Sequence, residues 1–277
     1  MKVGFIGTGS MGSLLLDAFI TSGALMPQQI FASNRTLDKV NLLAQRHPGL
    51  NVCSSNVENV KNSDIVFLCV KPLQYKDLID EIRSVVTPDQ ILVSITSPIQ
   101  IHHLESVLTC KIAKIIPSVT HLSLSGASLC MYGSRITVED RLLLEKLLSF
   151  ISQPLHIQEA HVRITSDFSS CGPAFISFFL DQWIEAAVEK TGIGRDELTT
   201  LAGEMLLGTG KLLTESGLSP HEVQERVAVP GGITAEALAL LKQSLDGVFH
   251  QLIATTHAKY DDDLNKIDVL FGDFKTL

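Results

Sequence analysis

The sequence predicts an α/β domain built on a doubly wound parallel sheet, followed by an all-α domain. Three observations predict it. Val3, Phe5 and Ile6 form a short apolar run that leads into Gly7, Gly9 and Gly12 at the spacing G-x-G-x-x-G, and a helical stretch from Ser13 to Phe19 follows. Up to about residue 158, short apolar runs alternate with helical patterns, which is the grammar of βαβ units. From about His161 the strand signals stop and long helical patterns run to the C-terminus.

Each element has a local reason. Gln29 to Ala32 is the second expected strand, closed by Ser33-Asn34-Arg35-Thr36, and Leu37 to Arg46 is helical. Asn51-Val52-Cys53 is a short extended piece and Asn56 to Lys61 a brief helix. Asp64 to Val70 carries a continuous apolar run, as a strand buried on both faces of a parallel sheet does, and Lys71-Pro72 stops it. A helix from about Gln74 to Val85, a strand at Ile91 to Ile95, a helix over 99–107 and a strand at Ile112 to Ile116 continue the alternation. Gly126 to Met131 and Leu155 to Gln158 read as added strands, with a helix over 138–151 between them.

In the second part Gly172-Pro173 opens a helix to about Lys190, since proline is at home in a first turn. Asp196 to Glu215 is the next helix, and Ser219-Pro220-His221-Glu222 is a cap-then-proline start for a short one. Pro230-Gly231-Gly232 is a sharp turn, and helices at Thr234 to Ser244 and Val248 to about Lys266 finish the chain. Asp261-Asp262-Asp263 reads as a solvated helix face. The expected domains are 1–160 and 161–277.

The glycines divide the work of a dinucleotide-binding, Rossmann-type turn. The first permits the tight turn, the second lets the backbone approach a pyrophosphate, and the third lets helix and strand pack closely. The N–H groups and positive dipole end of the helix then face the phosphates. At the end of the second strand, NAD-binding units place an acid against the ribose 2′-hydroxyl. Here that place holds Ser33-Asn34-Arg35, with no acid before Asp38. A guanidinium there suits a 2′-phosphate, so the residues predict NADP(H) over NAD(H).

The 277 residues carry a net charge of −8, with 45% hydrophobic and 19% charged residues. That supports a sizeable core and argues against nucleic acid or an anionic membrane as partner. Glycines at 4, 7, 9 and 12 and Asp17 break the apolar stretch a secretory signal needs, and Ile115 to Ser134 is too polar to span a membrane. Five scattered cysteines without a C-x-x-C pair read as reduced thiols in a cytoplasm. The histidines form no H-E-x-x-H, and His102-His103 lack a helical i, i+4 partner, so no metal is expected. The helical part is very apolar (Phe175, Ile176, Phe178, Phe179, Leu180, Trp183 and Ile184), which predicts a homodimer through it.

Two further stretches are candidate anion sites. Cys171-Gly172-Pro173 and Val229-Pro230-Gly231-Gly232-Ile233-Thr234 each put small residues before an expected helix start, where a carboxylate could reach backbone N–H groups. Thr234 is alternatively the cap of its own helix.

Several of these motifs together resemble the pyrroline-5-carboxylate reductases: Gly-x-Gly-x-Met-Gly at 7–12, Asn56, Val70-Lys71-Pro72, Gly172-Pro173-Ala174 and Pro230-Gly231-Gly232-x-Thr234. The resemblance spans nearly the whole chain. It implies reduction of a cyclic imine to proline with NAD(P)H, a Rossmann domain, and a helical domain that dimerises, often into larger rings. It implies coenzyme contacts from Ile6, Gly7, Thr8, Gly9, Ser10, Met11 and Gly12, from Ser33, Asn34, Arg35 and Asn56, and from Cys69, Val70, Lys71, Pro72, Ile95 and Thr96. It gives Thr234 the hydroxyl near the imine nitrogen and the Gly231-Gly232 turn, beside Ile233, the substrate carboxylate.

The departures fall around the substrate. Ser118 stands where the family has Asn, Cys171 where it has Ser before Gly172, Arg226 where it has Asn, and Val229 where it has Ser. Losing a hydrogen bond to a charged substrate costs about 1.5–3 kcal/mol, and an arginine at 226 could restore it. This pattern resembles a divergent branch of the family encoded with bacterial late-competence operons. The leading expectation is an NADPH-dependent reductase of a cyclic imino acid. A β-hydroxyacid dehydrogenase would need a lysine early in the long helix, and none precedes Lys190. A regulatory NADP-binding dimer with a decayed site is the third reading.

Overall fold

In the computed structural model, which describes residues 1–272, the first part is an α/β unit. Val3–Ile6 (β1) leads through the glycine turn into Ser10–Thr21 (α1), then Ile30–Ser33 (β2), Leu37–Arg46 (α2), Asn51–Val52 (β3) and Asn56–Lys61 (α3). Ile65–Leu68 (β4), Tyr75–Ile82 (α4), Ile91–Ser94 (β5), Ile101–Glu105 (α5) and Lys111–Ile116 (β6) follow. Ala127–Tyr132 (β7), Val138–Leu148 (α6) and Gln153–His156 (β8) close the sheet. The strand order is β3-β2-β1-β4-β5-β6-β7-β8, with β6–β7 antiparallel and the other pairs parallel. The reversal between β1 and β4 puts the loops after β1, β2, β4 and β5 at one edge, where doubly wound sheets bind ligands. The last strand begins two residues earlier than the apolar pattern at Leu155 to Gln158 suggests, because Gln153 and Pro154 pair with Ala127 and Ser128.

β1 and β4 are buried at every position, which is why they read as unbroken apolar runs. Phe5 and Phe67 stack at 5.2 Å between ring centroids, and Phe19 of α1 meets Phe67 at 5.8 Å. This packing fixes the angle at which α1 leaves β1. Tyr75 is fully buried in α4, and its hydroxyl donates to the Leu68 carbonyl (3.0 Å) and pairs with Ser94 Oγ (2.9 Å). It ties the ends of β4 and β5 together below the site.

The helical part comprises Val162–Ser166 (α7), Gly172–Thr191 (α8), Arg195–Thr214 (α9), Pro220–Val227 (α10), Ile233–Ser244 (α11) and Val248–Gly272 (α12). One expectation is corrected here. α8 begins at Gly172 as the sequence implies, but that start is no free helix end, because α7 runs into α8 through a π-helical turn at Asp167–Cys171. The apolar run of α8 marked its body but gave no sign of the widened turn before it.

The chain forms two compact units that do not follow the change in grammar near 160. One comprises residues 1–173 and the chain from Thr255 onward, and the other is Ala174–Ala254. The end of α12 belongs to the first because Ile267 and Phe271 are buried in its core, and Phe271 stacks on His103 at 4.8 Å. The second unit has no buried residue at all. No helix among the described residues is long and apolar enough to cross a membrane.

Tyr75→Phe removes the link between the ends of β4 and β5. It should cost about 1–2 kcal/mol of stability in urea unfolding. Unchanged stability would contradict the link.

Candidate functional site

The glycine turn is built as its spacing implies. Gly7 has φ +94° and its N–H donates to the Ser33 carbonyl (2.9 Å), joining the ends of β1 and β2. A Cβ on Gly12 would lie 2.0 Å from the Gly7 carbonyl oxygen, so α1 can approach β1 only at a glycine. Gly9 differs: a Cβ there would meet nothing within 4 Å. The protein's own packing does not require that glycine, whereas a ligand approaching the backbone would. Gly9 is the N-cap of α1, with no side-chain cap and no acidic residue in the first turn, so the N–H groups of Ser10, Met11 and Gly12 carry the positive end of the dipole. Ile6 is buried below the turn, and Thr8 is held by Asn34 Nδ2 donating to its hydroxyl (2.7 Å).

At the end of β2, Ser33 is buried and Asn34 Oδ1 accepts from the Thr36 N–H (3.1 Å). Arg35 is exposed, and no ion pair is found for it among the described residues. Asn56 opens α3 and accepts from Ser33 Oγ at 2.8 Å. The structure therefore brings Ser33, Asn34, Asn56 and the turn around Thr8 together.

At the ends of β4 and β5, the Cys69 N–H donates to the Ile6 carbonyl (2.8 Å), and desolvation pushes the Cys69 thiol far up. That thiol stays protonated and is no nucleophile. Val70, Lys71 and Pro72 lead out of β4, and Ile95 and Thr96 out of β5. The turn after β5 rests on Lys114, a lysine in the middle of an apolar strand. Its ammonium is fully buried, donates to the Ser97 carbonyl (2.5 Å) and pairs with Glu159 (2.9 Å). Burial pulls its pKa down, and Glu159 opposes the shift. Glu159 also accepts from the Ile101 N–H (3.0 Å). Lys114, Glu159 and Tyr75 hold the loop ends and were missed from sequence. A lysine inside an apolar run was the available signal.

Ser118 is fully buried, and its hydroxyl accepts from Thr120 Oγ1 (2.9 Å) and the Thr120 N–H (3.3 Å). Beside it His121 Nε2 accepts from the Ser118 N–H (3.3 Å) and Ser128 Oγ (2.9 Å), while Nδ1–H donates to the Ser125 carbonyl (3.2 Å). Protonating Nε2 would break two bonds, and burial already holds the imidazole below its ordinary pKa of 6.5.

The π-helical turn carries unpaired polar atoms. Arg163 pairs with buried Asp167 (2.8 Å) and donates to Cys171 Sγ (3.2 Å), and Thr256 donates to Asp167 Oδ2 (2.7 Å). Arg163 Nε, Ser166 Oγ, Ser169 Oγ and His257 Nε2 are nevertheless buried without partners among the described residues. Cys171 and Gly172 sit at the end of this turn and offer no helix N-terminus.

In the helical unit the Pro230-Gly231-Gly232 turn has Gly231 at φ +71°, a left-handed position. Gly232 is the N-cap of α11, and a Cβ on it would lie 2.8 Å from Val229 Cγ2. Thr234 is therefore the second residue of α11 and not its cap, so the capping alternative falls. No side-chain cap closes this helix start. Ile233 is 91% exposed, and Arg226 is exposed in the last turn of α10.

His102 and His103 acquire a partner that their spacing could not reveal, Asp268 of α12. His103 Nδ1 accepts from the Gln100 N–H (3.2 Å), so its Nε2–H donates to Asp268 (2.9 Å). That tautomer makes a hydrogen bond where a metal would need the lone pair.

Residues 159–262 match the family model described as pyrroline-5-carboxylate reductase dimerisation, and residues 2–98 match that of NADP oxidoreductase, coenzyme F420-dependent. The chain is 37% identical to ComE operon protein 4 of Bacillus subtilis over 98% of this chain and 99% of that protein. It is 32% identical to pyrroline-5-carboxylate reductase 2 of Bos taurus, over 91% of this chain and 79% of that one. The chain belongs to the pyrroline-5-carboxylate reductase family. The reductase-family fold is shared with the NADP-bound pyrroline carboxylate reductase of Plasmodium falciparum, at TM-score 0.81 and 23% identity over 98% of each chain. The likeness to ComE operon protein 4 agrees with the family branch that the substitutions at 118, 171, 226 and 229 suggest.

His121 and His103 both titrate below 6.5 in the folded chain. The unfolded chain therefore binds more protons, and stability should fall as pH drops through 6.5 toward the folded values, by up to about 1.4 kcal/mol per pH unit for each histidine. Chemical unfolding between pH 7.5 and 5.5 should show this slope, and His121→Asn should reduce it. An unchanged slope in that variant would contradict a neutral, buried His121.

Proposed function

We propose that the chain is an NADPH-dependent reductase of a cyclic imino acid, pyrroline-5-carboxylate or a close relative. One observation carries the coenzyme half: a dinucleotide turn in which Gly9 answers to no packing demand while the N–H groups of α1 stand uncapped. The pyrophosphate would lie there. Arg35, free of carboxylate partners among the described residues, would meet a 2′-phosphate. Ser33, Asn34 and Asn56 would line the adenosine half, and Cys69 to Pro72 with Ile95 and Thr96 the nicotinamide half.

NADPH supplies the hydride when bound. The chain's own residues bind and orient. The uncapped start of α11, with Gly231 and Gly232 leaving the backbone bare, suits the substrate carboxylate. The Thr234 hydroxyl, released from capping, would accept from the N–H of the protonated imine. No strong acid stands in Val229 to Thr234, so an imine protonated before binding fits this site better than one protonated by a side chain. The unpaired atoms at Arg163, Ser166 and Ser169 support a ligand near Cys171 and Gly172.

A homodimer through the helical unit is part of this reading, supported by its apolar surface and by the dimerisation family model. The cysteines are free and the site needs no metal, which suits a reducing cytoplasm. Val229 against Gly232 and the exposed Arg226 favour a second reading, a coenzyme-binding protein weakened on pyrroline-5-carboxylate.

Two measurements test the proposal. Arg35→Ala should weaken NADPH binding by about tenfold or more and leave NADH little changed; equal losses would remove the 2′-phosphate role. NADPH oxidation with racemic pyrroline-5-carboxylate should turn over, and Thr234→Ala should lower kcat by about tenfold or more without changing NADPH affinity. Coenzyme binding with no oxidation across several cyclic imines would support the second reading instead.

A further inference from the structure

The orientation of the Asn56 amide is settled by a chain of hydrogen bonds. Asn59 is fully buried, and its Nδ2 donates to the Phe5 carbonyl (3.0 Å), the Phe31 carbonyl (3.3 Å) and Ser33 Oγ (3.0 Å). Two of these partners are carbonyls, so the Asn59 atom facing them is the nitrogen. These bonds hold Ser33 Oγ in place beside the Asn56 amide, and the carboxylate of Glu81, an acceptor only, stands at the amide's other end with Oε2 at 2.7 Å. The atom facing Glu81 is therefore Nδ2, which donates to Oε2, and Oδ1 on the other side accepts from the Ser33 hydroxyl at 2.8 Å. One N–H of Asn56 is then committed to Glu81 and one remains.

Glu81 stands on the exposed face of α4, and no ion pair is found for it among the described residues. Its hydrogen-bond partner in this arrangement is the Asn56 amide. We propose that Glu81 is a positioning residue for the coenzyme: it anchors Asn56 so that the amide presents an N–H donor at the adenosine end of the site. Buried Asn59 and Ser33 fix one side of the amide, and Glu81 fixes the other. The group that Asn56 meets is consequently an acceptor, a ribose oxygen, a phosphate oxygen or a ring nitrogen. This inference rests on the coenzyme reading above. It differs from the role of Arg35, which concerns only the 2′-phosphate, because an anchored Asn56 would serve NADPH and NADH alike.

The test is coenzyme affinity, followed by NADPH and NADH fluorescence in wild type, Glu81→Ala, Glu81→Gln, Asn56→Ala and the double Glu81→Ala/Asn56→Ala protein. Glu81→Ala should weaken both coenzymes by about fivefold to tenfold, the value of one hydrogen bond. Glu81→Gln keeps an acceptor oxygen for Asn56 Nδ2 and should stay within about threefold of wild type on the same grounds. The double variant should bind like Asn56→Ala alone, since Glu81 acts through Asn56. Melting temperatures should stay near wild type for both Glu81 variants, because the side chain is exposed. Unchanged affinity in Glu81→Ala, or losses that multiply in the double variant, would overturn the proposal while leaving the coenzyme reading intact. A wild-type protein that binds neither coenzyme would overturn both.

Discussion

The helical unit, Ala174–Ala254, cannot cover its own apolar surface. None of its residues is buried, and Phe178, Trp183, Leu201, Leu207 and Leu240 are more than half exposed. Leu180, Trp183, Ile184, Leu198, Leu201 and Met205 line an apolar groove between α8 and α9. At about 25 cal/mol per Å² of apolar surface, leaving so many large side chains in water forgoes the main term that stabilises a fold. Local features supply only part of what is missing: Arg195 pairs with Asp181 and Glu185, and Ser219 with Glu222 forms a capping box. A second copy of the same unit is the cover that the account requires. Arg226, Val229 and Thr234, the residues of the proposed substrate site, belong to this unit.

The α/β unit is the opposite case. Its core is closed by Phe5, Phe19, Phe67 and Tyr75, and the polar groups buried in it have specific tasks. Asn59 joins β1, β2 and α3; Tyr75 joins β4 and β5; Lys114 and Glu159 hold the turn after β5. Buried polar groups cost stability unless fully paired, so each is informative about what must stay in place. All of them support loop ends at the carboxyl edge of the sheet. The pairing fails in α7 and the π-helical turn after it, where Arg163, Ser166 and Ser169 keep atoms without partners among the described residues. Cys171, one of the residues at which the sequence departs from the family pattern, closes this turn.

Much of this was legible in the sequence because it depends on local rules. The glycine turn follows from spacing, the strands from apolar runs, and the helix start at Ser219 from a capping pattern. Long-range partners were not legible. Asp268 reaches His103 from 165 positions away, and Glu159 reaches Lys114 from 45. Nothing in either neighbourhood announces the other. Gly172-Pro173 marked the first turn of α8 but not that α7 continues into it, because proline is common in first turns and is also tolerated where a π-helical turn has already displaced the hydrogen-bond ladder. Thr234 was ambiguous between cap and ligand because two residues of register decide it, and Gly232 took the cap.

The most direct test of this account is the mass of the protein in solution. Sedimentation equilibrium or light scattering at micromolar concentration should give twice the 30.2 kDa of one chain, or a multiple of that dimer. Unfolding should then depend on protein concentration, as it does when folding and association are linked. A 30.2 kDa monomer that unfolds cooperatively with a concentration-independent midpoint would contradict the claim that the helical unit depends on a second copy.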